Sequence, residues 1–279
     1  MLLDGKAVAA SIDSRTAQWG SILKELGVVP SLAIVSVGDN DKNGAYERSI
    51  IKKCEKIGVR TLRYKCPESL SGDQFKNLLG NIREDGCIVM RPLPSHLNKP
   101  EIYSCIRPDQ DVDGITDASL AWVFTGRGVG FPPCTAQSCM ELLSYYGMGL
   151  SGKRVSIIGR SLVVGKPLAV MMDRENATVT LCHSKTNNLE QICKESDIIV
   201  SAVGKPGFLP LDCFRDGQIV LDVGISYDNN GKICGDIDFA AIENRVAGVT
   251  PVPGGIGAVT TSVLMSHVVE AAKKRITKG

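Results

Sequence analysis

Gly159-Arg160-Ser161-Leu162-Val163-Val164-Gly165 separates a β-branched apolar run, Val155–Ile158, from a helical pattern opened by Lys166-Pro167. Strand, glycine turn and helix start together make an anion site. Free backbone N–H groups and the helix dipole point at a phosphate there, and proline is favoured at the first helical position because its missing N–H costs nothing there. The spacing is G-x5-G and not the G-x-G-x-x-G of the usual dinucleotide fingerprint. By glycines alone the turn is either a nucleotide cradle or an ordinary tight turn. The next apolar run, Ala177–Cys182, ends at His183-Ser184-Lys185-Thr186. An acidic residue near this point would hold the ribose 2′-OH of NAD. None stands there. A hydroxyl, Ser184, and two cations, Lys185 and Arg160, suit a 2′-phosphate, which points to NADP. The plain alternative is two solvated surface cations, with His183 a polar strand-end residue.

A second group of chemical residues lies earlier. Arg107-Pro-Asp-Gln-Asp-Val-Asp-Gly114 carries three aspartates in five residues. It lacks the spacing and distal glutamate of a calcium loop. Asp113 reads either as a turn cap or as a ligand-binding carboxylate. Ten cysteines are scattered with no C-x-x-C pair, and there are only three histidines. These read as reduced, mostly buried thiols of a cytoplasmic protein, with no metal site.

Elements must position these groups. Residues 4–26 show a helical pattern with apolar Val8, Ile12, Trp19, Ile22 and Leu23, closed by Gly27. Ser31–Val37 reads as a strand, Gly38–Gly44 as a polar turn and Ala45–Ile57 as a helix ending at Gly58. Val59–Tyr64 is the next strand, Asp73–Ile82 a helix and Gly86–Met90 a strand. Two prolines in Arg91-Pro-Leu-Pro94 force a turn. Ala136–Tyr146 is a helix. The pattern then restarts with the strands around the glycine turn, followed by Asp197–Val203 and Gln218–Gly224. Thr250-Pro-Val-Pro-Gly-Gly-Ile-Gly257 is too rich in proline and glycine for regular structure, and Val259–Arg275 is a last helix. Strands separated by helices mean βαβ units and parallel sheets.

The 279 residues suffice for one large or two ordinary domains, and the formal charge is +2. No block of like charge suggests nucleic acid or a membrane patch. No apolar run approaches the roughly 18 residues of a membrane span. Met1-Leu-Leu-Asp-Gly-Lys6 is charged too early for a secretory leader.

Several stretches recur in the order of one known family: Val37-Gly38, Tyr46 twelve residues before Gly58, Arg91-Pro-Leu-Pro94, Asp111-Val-Asp-Gly114, Pro133-Cys-Thr135, the glycine turn to Pro167, Cys182–Thr186, Asp222-Val-Gly-Ile225 and Thr250–Gly257. Over almost its whole length the chain resembles the methylenetetrahydrofolate dehydrogenase/methenyltetrahydrofolate cyclohydrolase family. The resemblance implies two α/β lobes with a central cleft. The folate lobe would be 1–136 plus 258–279. A Rossmann-like NADP lobe would be 137–257, with the last helix packing back on the first lobe. It implies NADP-dependent oxidation of 5,10-methylenetetrahydrofolate, hydrolysis of the methenyl product to 10-formyltetrahydrofolate, a homodimer, and a place in one-carbon metabolism and purine biosynthesis. By motif, Gly159, Arg160, Ser161, Gly165, Ser184 and Ile225 would touch the cofactor. Tyr46 would pack along the folate ring, Asp113 would accept from the pterin's nitrogens, and Gly254-Gly255 would let backbone approach the substrate.

This sequence departs from the family pattern where hydrolysis is served. The lysine four residues after the tyrosine is Ile50, and the glutamine two residues before Pro-Leu-Pro is Met90, followed by Arg91. Asn43, Ala136 and Ala258 are smaller departures. The family's second lysine, two residues beyond the first, is matched by Lys52, which stands either as a candidate catalytic residue beside Tyr46 and Asp113 or as a structural or solvated cation. It lies about 200° around the helix from position 50. Lys53 is three residues on and could reach back. Arg91 is a cation that stays protonated and so makes a poor base. Cys134 could be a nucleophile, though this chemistry needs none. Three readings follow: a dehydrogenase with weak or absent hydrolysis, the full bifunctional enzyme, or a non-catalytic paralogue that binds folate or NADP.

Overall fold

The computed structural model describes residues 1–38, 41–228 and 231–277, without the side chains of residues 41–43 and 45. Asp39, Asn40 and the Asn43 side chain thus lie outside the described residues. Contacts divide the chain into two compact units. One comprises Ser11–Cys134 with Thr261–Gly279, and the other Met1–Ala10 with Thr135–Thr260.

The chain opens with α1 (Gly5–Glu25), β1 (Ser31–Val37), α2 (Asp41–Ile57), β2 (Arg60–Cys66), α3 (Gly72–Gly80), β3 (Gly86–Val89), α4 (Lys99–Tyr103) and α5 (Asp117–Thr125). Three parallel strands form the sheet of this unit, in the order β2-β1-β3. The central strand, Ser-Leu-Ala-Ile-Val-Ser-Val, is buried at every position but Ser36, as an apolar run in a covered parallel sheet must be. Edge strand β2 is buried nowhere along its length. Phe75 and Leu79 of α3 pack into the core beside Val35, Val89 and Ile102. A reciprocal capping box between Ser71 and Gln74 starts α3.

There follow α6 (Cys134–Tyr145), β4 (Arg154–Ile158), α7 (Gly165–Arg174), β5 (Thr178–Cys182), α8 (Leu189–Glu195), β6 (Ile198–Ser201), β7 (Ile219–Asp222), the hairpin β8 (Ser226–Tyr227) and β9 (Ile233–Cys234), α9 (Phe239–Ile242), β10 (Gly248–Val249) and α10 (Ile256–Thr277). The second sheet is parallel, in the order β10-β7-β6-β4-β5. Among the described residues no helix is long and apolar enough to cross a membrane.

The α/β class and parallel pairing agree with the sequence reading. Three details differ. Helix α2 starts at Asp41, so the expected turn to Gly44 is already helical beyond the undescribed pair. Trp19 and Ile22 of α1 are almost half exposed, and the Lys273 ammonium covers the Trp19 ring at 3.8 Å. Most consequentially, the first ten residues group with Thr135–Thr260, not with the stretch that follows them. Backbone decides this: the Leu3 amide donates to the Val249 carbonyl and that of Gly5 to Gly254, each at 2.9 Å.

Candidate functional site

In the three-stranded unit the Asp-Val-Asp stretch divides its two carboxylates between two tasks. Asp111 is fully buried. It accepts from the amides of Ile115 at 3.0 Å and Thr116 at 2.8 Å, so it is the turn's structural acid. Asp113 faces elsewhere. Its Oδ2 accepts from Arg91 Nη2 at 3.0 Å, and the Cys134 thiol is in hydrogen-bonding position to it. Gly114 makes this geometry reachable. It has φ +69°, and a Cβ there would lie 2.5 Å from the Pro132–Pro133 peptide.

Burial raises the Asp113 carboxyl to about 6. Arg91 opposes the rise and Asp111 adds to it. Tyr46 is two-fifths exposed, yet burial pushes its hydroxyl upward and the charges of Asp113, Cys134 and Arg91 act on it. Tyr46 is thus part exposed and lies within electrostatic reach of the same cluster. Tyr103 of α4 also feels Arg91 and Asp113. Sequence reading gave Tyr103 no role, because α4 is only five residues long and carries no periodic signal.

Lys52 does not join this cluster. It is exposed, and six residues after Tyr46 it is turned about 240° around α2. Lys53 is committed to another task. Its ammonium pairs with Asp13 at 2.9 Å and Ser262 Oγ at 2.8 Å. Ile50 and Met90 are 0 % and 2 % exposed, so two apolar side chains fill those positions completely.

In the five-stranded unit the glycine turn follows β4. Gly159 has φ +117°, and a Cβ there would lie 2.4 Å from the Ala202 carbonyl oxygen. A Cβ on Gly165 would lie 1.9 Å from the Gly159 carbonyl oxygen. Gly165 is required because the start of α7 presses directly on the turn, and Gly159 because its φ is positive and the chain leaving β6 presses on it. Helix α7 begins at Gly165, so Pro167 is its third residue and not its first, still within the turn whose N–H groups lack helical partners. Ser161 Oγ accepts from the Val164 amide at 3.1 Å, which leaves its own proton free to be donated outward. Gly159 N–H bonds to Cys182 at the end of neighbouring β5, which sets Ser184 and Lys185 just beyond the turn. Arg160, Ser184 and Lys185 are exposed, and among the described residues Arg160 and Lys185 make no side-chain ion pair. His183 is a turn organiser: its Nδ1 accepts from the Lys185 amide at 3.1 Å.

The next strand ends are fixed by a carboxylate pair that sequence reading passed over. Asp222 accepts from the amides of Gly224, Asp236 and Ile237. Asp236 accepts from Ser201 Oγ and the amides of Val203 and Lys205. Burial lifts Asp222 to about 7 against the bonds from Asp236 and Ile237. Ile225 follows and is 60 % exposed. Gly254, with φ +106°, precedes Gly255, where a Cβ would meet the Pro251 carbonyl oxygen at 2.5 Å. A cavity of about 590 Å³ in this unit is lined by Met140, Met148, Met171 and Arg174. It lies toward the far end of α7 from the glycine turn.

Residues 3–113 match the family model described as the catalytic domain of tetrahydrofolate dehydrogenase/cyclohydrolase, and residues 133–276 that of its NAD(P)-binding domain. The chain belongs to the tetrahydrofolate dehydrogenase/cyclohydrolase family. The "Bifunctional protein FolD" of Clostridium kluyveri is 42 % identical, covering 99 % of this chain and 98 % of that protein. The FolD crystal structure from Campylobacter jejuni superposes with a TM-score of 0.95 at 37 % identity, covering 99 % of both chains. That of the Trypanosoma brucei enzyme, complexed with NADP cofactor and inhibitor, gives 0.92 at 31 %, covering 99 % and 98 %. Within the family frame, Tyr46, Arg91 and Asp113 fall in the catalytic-domain match and the glycine turn in the NAD(P)-binding match.

Proposed function

We propose that this chain catalyses NADP-dependent oxidation of 5,10-methylenetetrahydrofolate to 5,10-methenyltetrahydrofolate, with hydrolysis to 10-formyltetrahydrofolate the weaker activity. One observation carries the reading: the Asp113 charge acts on Tyr46, while positions 50 and 90 hold buried apolar side chains. Asp113 would accept hydrogen bonds from the pterin's ring and amino N–H groups, a donor-rich edge suited to a carboxylate. Tyr46, two-fifths exposed, would pack along the folate's flat portion. Dehydrogenation depends chiefly on holding two reactants face to face.

The glycine turn fits a dinucleotide phosphate, because neither glycine tolerates a side chain and the helix start is left open. Arg160, Lys185 and Ser184 would take the 2′-phosphate, Ser161 would donate to the cofactor, and Ile225 would line it. Bound there, the nicotinamide would supply the hydride acceptor. Gly254 and Gly255 would allow backbone to approach the substrate. Hydrolysis must move protons at a substrate already cationic, and proton transfer by a positioned group is worth about 10²–10⁴-fold. Neither Ile50 nor Met90 can move a proton. A fully bifunctional enzyme is the second reading, favoured by the name of the 42 % identical relative. The family resemblance also supports a homodimer in the cytoplasm serving one-carbon supply for purine synthesis.

Two assays on the purified protein test this. Reduction of NADP with methylenetetrahydrofolate should be readily measured. Loss of methenyltetrahydrofolate should run close to its spontaneous rate. Hydrolysis that keeps pace with dehydrogenation establishes the bifunctional reading instead.

A further inference from the structure

Arg91 reaches Asp113 from the turn after β3, and the pair has a dry end and a wet end. The Asp113 side chain is 7 % exposed and that of Arg91 41 %. A guanidinium carries five N–H donors in a fixed plane. Asp113 takes one of them, and among the described residues no other hydrogen bond to the Arg91 side chain is formed. The remaining donors belong to the same plane, on a side chain that is part exposed beside the carboxylate. The groups around Asp113 are Asp111 on its own loop, Tyr46 on α2, Tyr103 on α4, Cys134 at the start of α6 and, behind Cys134, His267 of α10. Arg91 is the permanent cation among them.

The pyrimidine edge of a pterin presents two N–H donors and then a carbonyl oxygen. A carboxylate alone answers the two donors and faces the oxygen with like polarity. A carboxylate with a guanidinium at its side answers all three. We propose that Arg91 is a substrate-positioning residue of the folate site, pinning one oxygen of Asp113 and offering its free N–H groups to the pterin's ring carbonyl. This rests on reading Asp113 as the pterin's acceptor. The ion pair also matters for charge state: burial drives Asp113 toward its neutral form, in which it becomes partly a donor, and Arg91 is the largest opposing influence.

The test is folic acid binding to the intact protein across pH 5–8, for wild type, Arg91→Leu, Arg91→Lys and Asp113→Asn, with a thermal melt of each to show that it is folded. Wild-type binding should weaken on acidification with a midpoint near 6. Arg91→Leu should move that midpoint upward by about one unit or more. It should also bind about tenfold more weakly at the alkaline end, where one charged hydrogen bond has been lost. Arg91→Lys should restore the midpoint, because it restores the charge, and only part of the affinity. An unchanged midpoint in Arg91→Leu overturns the pinning role, and an unchanged alkaline affinity overturns the carbonyl contact. Asp113→Asn separates the two levels of the argument. If it binds folic acid like wild type, the reading of Asp113 itself fails. If it abolishes binding while Arg91→Leu changes nothing, only the assignment of Arg91 fails.

Discussion

Lys53 Nζ lies 2.9 Å from Asp13 Oδ2, and Ser262 Oγ completes its shell at 2.8 Å. One of the two ammonium groups that follow the missing lysine's position is thereby held in a structural ion pair whose acid is only 7 % exposed. Lys53→Met should cost up to about 3 kcal/mol of stability by leaving Asp13 buried without its main partner. Lys56, 3.8 Å from the same carboxylate, would soften the loss. Dehydrogenase and hydrolytic rates per folded molecule should change in parallel. A selective fall in hydrolysis would identify Lys53 as the replacement base.

Asp113 gives a pH-dependent stability of defined sign. Its folded-state value of about 6 lies above the ordinary 3.8, so the native state holds the proton more tightly than the unfolded chain. Stability from this group is complete below about pH 4 and is lost as pH rises through about 6. Asp113→Asn should therefore melt like wild type at pH 4. At pH 7 it should be the more stable by an amount on the order of 3 kcal/mol, while losing folate binding. A melt lower than wild type at both pH values would mean that Asp113 is a structural cap after all.

How far this was legible in the sequence follows from how local each signal is. β1 appears with its expected bounds because seven apolar-rich residues in a covered strand admit no other reading. The glycine turn was legible for the same reason: two glycines and a proline act over nine residues. The Arg91–Asp113 pair spans 22 residues, and no spacing rule connects a residue after one strand to a residue in a distant turn. Lys52 was carried over by motif, and the helix face already legible in its spacing from position 50 leaves it exposed. The Asp222–Asp236 pair was missed because its role lies in backbone amides, which a sequence does not display.

Cofactor choice should depend on Arg160. Arg160→Ala should weaken NADP binding about 10–100-fold, the value of a charged hydrogen bond to phosphate, and leave NAD binding nearly unchanged. Titrating both cofactors into both proteins measures this. Equal losses for the two would show that Arg160 serves the shared part of the dinucleotide.

Restoring the polar pair should restore hydrolysis. Ile50→Lys combined with Met90→Gln should accelerate loss of methenyltetrahydrofolate about 10²-fold or more. Since both positions are almost fully buried, the double variant should also be less stable by a few kcal/mol. Unchanged hydrolysis in a folded, folate-binding double variant would locate the deficit elsewhere.

The grouping of residues 1–10 with Thr135–Thr260, and of Thr261–Gly279 with Ser11–Cys134, has a consequence for how the protein is made. Each unit is closed by chain from the other end of the sequence: Leu3 and Gly5 bond to Val249 and Gly254, and Lys53 bonds to Ser262. Neither unit is a contiguous fragment that could be cut out whole. A piece spanning 135–260 would leave the Val249 and Gly254 carbonyls without those amides, and a piece ending at 134 would lack the helix carrying Ser262, Val263 and Leu264, all buried. During synthesis the first residues must wait for almost the entire chain before their partners exist. Such long-range closure slows folding and prolongs the exposure of apolar surface.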